Sequence, residues 1–163
     1  MAQAVDAKQQ AATVTAHQIN IQVAKQLANL VRSTLGPYGM DKEMVDAAGE
    51  VVMTNDGATI LKATKLGHPT AKIITEVART QEENCYDGTT SSVVITGELM
   101  DKASGLLDKN IHPTRIAKGY VMANRKAQEC LKEISITVND ELLLAVANTA
   151  MTGLGYRTTA ETD

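Results

Sequence analysis

The sequence predicts a mainly α protein carrying one small β-hairpin. Three observations point there. Its 163 residues include no Trp or Phe and only 2% aromatics, so the core must be assembled from Leu, Ile, Val, Ala and Met. Most of the chain repeats its apolar residues at the three- and four-residue spacing of a helix. That period breaks once, where Met44-Val45 and Val51-Val52-Met53, two short β-favouring runs, flank the turn-rich Asp46-Ala47-Ala48-Gly49-Glu50. The length is that of one domain with enough chain to bury a core.

Residues 1–14 are rich in Ala and Gln without a clear amphipathic face, and read as a loose, flexible arm. Thr15 with Gln18 three residues on can form a capping box. Ile19, Val23, Leu27, Leu30 and Val31 then recur on one helical stripe. Gly36 and Pro37 end that helix, one by a left-handed cap and the other because proline cannot continue it. After the hairpin, Asn55-Asp56-Gly57 makes a turn, and Ala58 to Lys65 reads as a short helix. His68-Pro69-Thr70 opens the next helix, with proline in the first turn and a stripe of Ile73, Ile74, Val77 and Ala78. From Thr89 to about Leu107 runs another, with Val93, Leu99, Ala103 and Leu106 inside and a Glu98–Lys102 pair outside. A second His-Pro-Thr, at 112–114, starts a long helix with Ile116, Tyr120, Ala123, Ala127, Cys130 and Leu131 on one side. Asn139 or Asp140 caps a last helix bearing Leu142, Leu143, Leu144, Val146 and Ala147, and a polar, glycine-punctuated tail follows from Thr152.

Composition narrows the function classes. A net charge of −3 without basic clusters argues against a nucleic-acid partner. Cys85 and Cys130 have neither ligand spacing nor a disulfide framework, which suits a reducing compartment. None of the three histidines has a metal-like partner at i+3 or i+4; two of them stand at helix starts and read as caps. With no apolar leader and no run of membrane-spanning length, the expectation is a soluble, cytoplasmic protein without a membrane partner.

The most distinctive stretch is Tyr86-Asp87-Gly88-Thr89-Thr90-Ser91-Ser92, between a polar helix end and an apolar helical run. An acid, a glycine and several hydroxyls at a helix start can serve two ends. Asp87 can simply be an N-cap with a threonine-rich first turn behind it. Alternatively, the free first-turn N–H groups and the positive end of the helix dipole can face a phosphate, with Asp87 holding a Mg²⁺ that bridges to its oxygens. Leu35-Gly36-Pro37-Tyr38-Gly39 is open in the same way, either a helix stop and turn or a glycine loop lying against a ligand.

Taken in order, Val31-Arg32-Ser33-Thr34-Leu35-Gly36-Pro37-Tyr38-Gly39-Met40-Asp41-Lys42, Thr54-Asn55-Asp56-Gly57-Ala58-Thr59-Ile60-Leu61, Asp87-Gly88-Thr89-Thr90 and Asn110-Ile111-His112-Pro113 resemble the group II chaperonins, the thermosome and eukaryotic cytosolic chaperonin family. The resemblance runs from about Asn20 to Gly153 and is to the N-terminal half of the equatorial domain. It implies a helical, equatorial-domain-like bundle over 15–151 that binds ATP or ADP with Mg²⁺, and a tail over 152–163 near the start of the intermediate domain. It also implies a place beside other chaperonin subunits in a double ring that folds other proteins by ATP hydrolysis, with unfolded proteins bound through domains outside this chain. Carried over by position, Leu35, Gly36, Pro37 and Gly39 would hold the nucleotide and its inner phosphates, with Gly57 also among the cofactor-binding positions. Asp87 looks like the Mg²⁺ ligand, Gly88, Thr89, Thr90 and Ser91 like the outer-phosphate cradle, and Asp56 like the catalytic acid that orients the attacking water.

Three departures shape the expectation. Tyr86 stands where the family usually has glycine, so a left-handed backbone there would be strained and the ring could crowd the site. Leu154 stands where the family commonly has a lysine thought to sense the terminal phosphate. Family members are also several times longer, so the second catalytic aspartate and the apical surface lie outside these 163 residues, and the isolated chain is expected to hydrolyse ATP poorly or not at all. The alternative is a truncated, chaperonin-derived structural or interaction module with little or no ATPase activity.

Overall fold

The computed structural model describes residues 2–36, 38–45, 49–64 and 67–152, with the side chains of 2–15 and of 152 excepted. Pro37, the Asp46-Ala47-Ala48 part of the hairpin turn, Leu154 and the 153–163 part of the expected tail lie outside the described residues. The elements in order are α1 (Ala2–Arg32), β1 (Lys42–Val45), β2 (Val51–Thr54), α2 (Gly57–Ala63), α3 (Pro69–Cys85), α4 (Thr89–Leu107), α5 (Pro113–Ile134) and α6 (Asp140–Thr152). The mainly α expectation with one hairpin holds. β1 and β2 pair antiparallel, with Lys42 opposite Thr54 and Val45 opposite Val51.

The chain divides into two units, Met1–Ile111 and His112–Asp163. In the first, α1 packs chiefly on α4, α3 packs on α4 and α1, and α2 bridges α3, α4 and β1. Its core joins Ala24, Leu27 and Val31 of α1 to Ile60, Leu61, Ala71, Ile74, Ala78 and Val93. α1 and α4 approach closely at Gly97, where an added Cβ would collide with the Ala28 Cβ. Only glycine on one side and a small residue on the other permit it. Two ion pairs flank this crossing, Lys25 Nζ to Asp101 Oδ1 at 2.7 Å and Arg32 to Glu98. The Lys25 hydrogen bond and charge hold the Asp101 carboxyl below the ordinary carboxylate value. The Thr70 hydroxyl donates to Asn20 Oδ1 at 2.8 Å, tying the start of α3 to α1.

Several expectations are corrected. α1 begins at Ala2, so helix stands over 2–14 where a loose arm was expected, and Thr15 lies within the helix and not at its start. Alanine and glutamine are good helix formers, and a helix already nucleated extends through them without an amphipathic face. The buried face of α1 is Ile21, Ala24, Leu27, Ala28 and Val31, while Ile19 is exposed. In α4 the buried positions are Val93, Gly97 and Ala103, and Leu99 is exposed; in α3 Ile73 is exposed. On α1 and α4 the buried face is centred on the small residues of their crossing, Ala24, Ala28 and Gly97, and α3 buries Ala71, Ile74 and Ala78. Glu98 pairs with Arg32 across the crossing, where a bond between helices replaces the expected local pair with Lys102.

In the second unit, α5 opens on His112, whose Nδ1 accepts from the Thr114 N–H at 3.3 Å, with Pro113 in the first turn. Asn139 caps α6, its Oδ1 accepting from the Leu142 N–H at 2.8 Å. Every residue from Val121 to Glu141 is exposed.

Candidate functional site

Three segments of the first unit carry the residues singled out in the sequence. The first follows α1. Thr34, nearly buried, donates its hydroxyl to Val31 O at 2.8 Å, and the loop closes through Gly39 N–H to Gly36 O and Met40 N–H to Ser33 O, both 2.9 Å. Gly36 has φ +89°, the left-handed conformation expected of a helix-ending glycine. Leu35 and Gly36 are exposed, and the Tyr38 ring stands in solvent. Ser33 Oγ is buried with no hydrogen-bond partner among the described residues, the kind of orphan a ligand or an ordered water satisfies.

The second segment joins β2 to α2. The Asp56 side chain caps α2, its Oδ2 accepting from both the N–H and the hydroxyl of Thr59 at 2.7 Å. Its own N–H donates to the Thr54 hydroxyl at 3.1 Å. Partial burial pushes the Asp56 carboxyl up, but the Thr59 hydrogen bonds, the Ala58 N–H and the Lys62 charge outweigh it and hold the group below its ordinary value of 3.8. Asp56 is therefore a carboxylate at neutral pH and a weak proton acceptor, suited to acting through its charge.

The third segment joins α3 to α4. Tyr86 ends α3 in the left-handed conformation, φ 55° and ψ 12°, with its N–H on Glu82 O. This is where glycine would cost nothing, and a side chain costs about 1–2 kcal/mol. The ring is 87% exposed, so the strain foreseen at Tyr86 is present while its ring points to solvent. Asp87 is exposed; its Oδ1 accepts from the Gly88 N–H at 2.6 Å, and its carbonyl accepts from Gln81 Nε2 at 2.9 Å. Gly88, at φ +76°, is the N-cap of α4 and provides no side-chain cap. The first turn, Thr89-Thr90-Ser91-Ser92, holds no acid and is half-buried. Its leading N–H groups and the positive helix end thus remain available to an anion.

The second and third segments meet. Gly57 is buried, and a Cβ on it would lie 2.6 Å from Thr90 Oγ1 and 3.2 Å from Thr90 Cα. The Asp56-Gly57 turn therefore rests on the uncapped start of α4. Leu35, Gly36 and Gly39 form their own loop, carried by the helix that packs most extensively on α4.

Comparison with known proteins bears on what such a turn is for. Residues 27–162 match the model of the TCP-1/cpn60 chaperonin family. The chain belongs to that family. It is 55% identical over 141 residues to thermosome subunit beta of Methanothermobacter thermautotrophicus, and 54% identical over 143 residues to thermosome subunit beta of Archaeoglobus fulgidus. The thermosome subunit of Pyrococcus horikoshii is 53% identical over 141 residues. Each alignment takes in 85–86% of this chain and 26% of the relative, so the chain spans about a quarter of the length of these curated relatives.

Among the described residues no cluster of three or more His, Cys, Asp and Glu could form a protein metal cage, and no helix is long and apolar enough to cross a membrane. Mg²⁺ takes one or two carboxylates and completes its shell with phosphate oxygens and water, so a lone exposed carboxylate such as Asp87 could hold it only together with a bound phosphate. Sequence reasoning missed Ser33 and Thr59. Ser33 gives no signal in a sequence, because its orphaned hydroxyl emerges only when the loop closes. Thr59 was legible as the third residue after an acidic N-cap.

Proposed function

We propose that this chain is the ATP-binding segment of a group II chaperonin that drives protein folding by ATP hydrolysis within a double-ring assembly. Family membership supports the reading, and the contact of Gly57 with Thr90 carries it, because that contact sets an ionised acid's turn against a helix start with free N–H groups. When bound, Mg·ATP would supply the transferable phosphoryl group and the metal charge that offsets its oxygens. Asp87 would hold the Mg²⁺. Gly88, Thr89, Thr90 and Ser91 would donate backbone and hydroxyl hydrogen bonds to the outer phosphates, while the backbone of Leu35, Gly36, Pro37 and Gly39 holds the inner part of the nucleotide. Asp56, kept anionic by Thr59, would orient the attacking water, and the orphaned Ser33 hydroxyl is a further donor in the Gly36 loop. Catalysis of this kind rests on positioning and charge.

A calorimetric or thermal-shift titration of the 163-residue chain with Mg·ADP tests the reading. A Mg²⁺-dependent response that Asp87→Ala removes is expected; no response at millimolar nucleotide, or an equal response from Asp87→Ala, refutes it. Turnover by this chain alone should be very slow, since losing one charge-positioning group at such a site costs on the order of 10²–10³ in rate. Fast hydrolysis that survives Asp56→Ala would remove Asp56 from its role.

The exposure of α5 and α6 favours a second reading, an interaction module with little hydrolysis. Leu131, Ile134, Leu143, Leu144 and Val146 are all more than half exposed, and large open apolar patches mark association surfaces. A light-scattering mass above that of the monomer at micromolar concentration, together with no Mg·ADP response, would support it.

A further inference from the structure

The contact between Gly57 and Thr90 is held from both sides. On the α2 side, Asp56 grips Thr59 through two 2.7 Å hydrogen bonds, and Ile60 N–H bonds Asp56 O at 3.0 Å. On the α4 side, Ser92 closes the first turn, donating its N–H to Gly88 O at 2.9 Å and its hydroxyl to Thr89 O at 2.8 Å. Further along, α4 is pinned to α1 by the Gly97–Ala28 approach and by Lys25–Asp101. A Cβ at Gly57 would meet the Thr90 hydroxyl at 2.6 Å, and also the Thr90 Cα at 3.2 Å and N at 3.3 Å. The half-buried Thr90 hydroxyl is the nearest obstacle, and with it in place the α4 first turn must shift; without it, the Thr90 Cα and N would have to give by only a few tenths of an ångström. We infer that Gly57 is a positioning residue that sets the spacing between the Asp56 turn and the first-turn donors of α4, and is not itself a ligand contact. The inference rests on the nucleotide reading above. It assigns the glycine a role through Thr90, whereas a ligand-contacting glycine would act irrespective of Thr90.

The test compares Gly57→Ala, Thr90→Ala and the double variant in the 163-residue chain, by Mg·ADP calorimetry and by backbone amide shifts of Thr89, Thr90 and Ser91. Gly57→Ala should weaken Mg·ADP by about tenfold, since small misplacements of a positioned group are costly, and should displace those amide shifts. Thr90→Ala loses one donor and should weaken binding by a few-fold. The double variant should lose clearly less than the product of the two single losses, because removing the hydroxyl relieves the closest contact. Its amide shifts should also return toward wild type. Affinity of Gly57→Ala within twofold of wild type overturns the inference, and so does a double variant whose losses simply multiply. If Gly57→Ala fails to fold, a folded double variant supports the inference and an unfolded one overturns it, because glycine would then serve the core at large. If the wild type itself binds no Mg·ADP, the nucleotide reading fails instead, and the amide shifts of Gly57→Ala with their reversal in the double variant decide the spacing role.

Discussion

Both units of the chain carry amphipathic helices, and they treat them in opposite ways. In Met1–Ile111, Val31, Ile60 and Val93 are wholly buried. In His112–Asp163, the α5 stripe has the cleaner helical spacing, yet Leu131 and Ile134 stand 59% and 72% exposed, and Val121 to Glu141 is exposed throughout. Periodicity says that a segment is a helix and which face is apolar. It does not say whether that face is covered, which depends on a partner element and on residues small enough to let it approach. The first unit has both, in Ala24, Ala28 and Gly97 on α1 and α4.

The sharpest way to break this contrast is to truncate one aliphatic residue in each unit. Ile60→Ala should destabilise the first unit by about 2–5 kcal/mol in urea unfolding, whereas Leu131→Ala should stay within about 0.5 kcal/mol. A core-sized loss at Leu131 would mean that the second unit is covered in solution. Next in size is Gly97→Ala. Overpacking against Ala28 should cost about 1–3 kcal/mol, more than the roughly 1 kcal/mol of helix propensity that alanine brings. Adding Ala28→Gly should recover part of the loss; no recovery would mean that another neighbour sets the approach. Tyr86→Gly should act in the opposite direction, raising the stability of the first unit by about 1 kcal/mol through relief of the left-handed strain. A lowered melting temperature would show that the tyrosine ring contributes more than its exposure suggests.

The smallest effect is on pH. Asp56 is depressed in the folded chain, so its stabilising contribution is complete above the ordinary value of 3.8 and is lost as pH falls through the lower folded value. Asparagine is an equally good cap but does not titrate. Asp56→Asn should therefore unfold less steeply below about pH 4 than the wild type, with little difference at pH 7; parallel acid limbs would contradict the carboxylate's role at α2.

Most of the architecture was legible in the sequence because its punctuation is chemical. Proline after histidine starts α3 and α5, with His68 and His112 accepting from Thr70 and Thr114, and Asn139 caps α6. The candidate site was legible as three glycine turns, since glycines, acids and hydroxyls at helix ends stand out. Packing was less so. The stripes read from large residues placed Ile19, Ile73 and Leu99 inside, but they are exposed: α1 and α4 meet at Ala24, Ala28 and Gly97, and α3 buries Ala71, Ile74 and Ala78. Small residues carry no hydrophobic signal even where they fix the geometry. The orphaned Ser33 hydroxyl and the Glu98 partner were equally hidden, since both depend on which segments come together.

The clasp between α1 and α4 also has a consequence for the order of events during synthesis. Lys25 and Asp101 are 76 positions apart, and Arg32 and Glu98 are 66 apart. On a ribosome adding about 5–20 residues per second, the inner face of α1 emerges roughly 4–15 seconds before the helix that seals it. Over that interval Ile21, Leu27 and Val31 have only nearer elements, such as α2 and α3, to lean on. The late arrival of Gly97 is then the step that closes the core, and slow codons upstream of it would lengthen the period in which a nascent chain depends on outside protection.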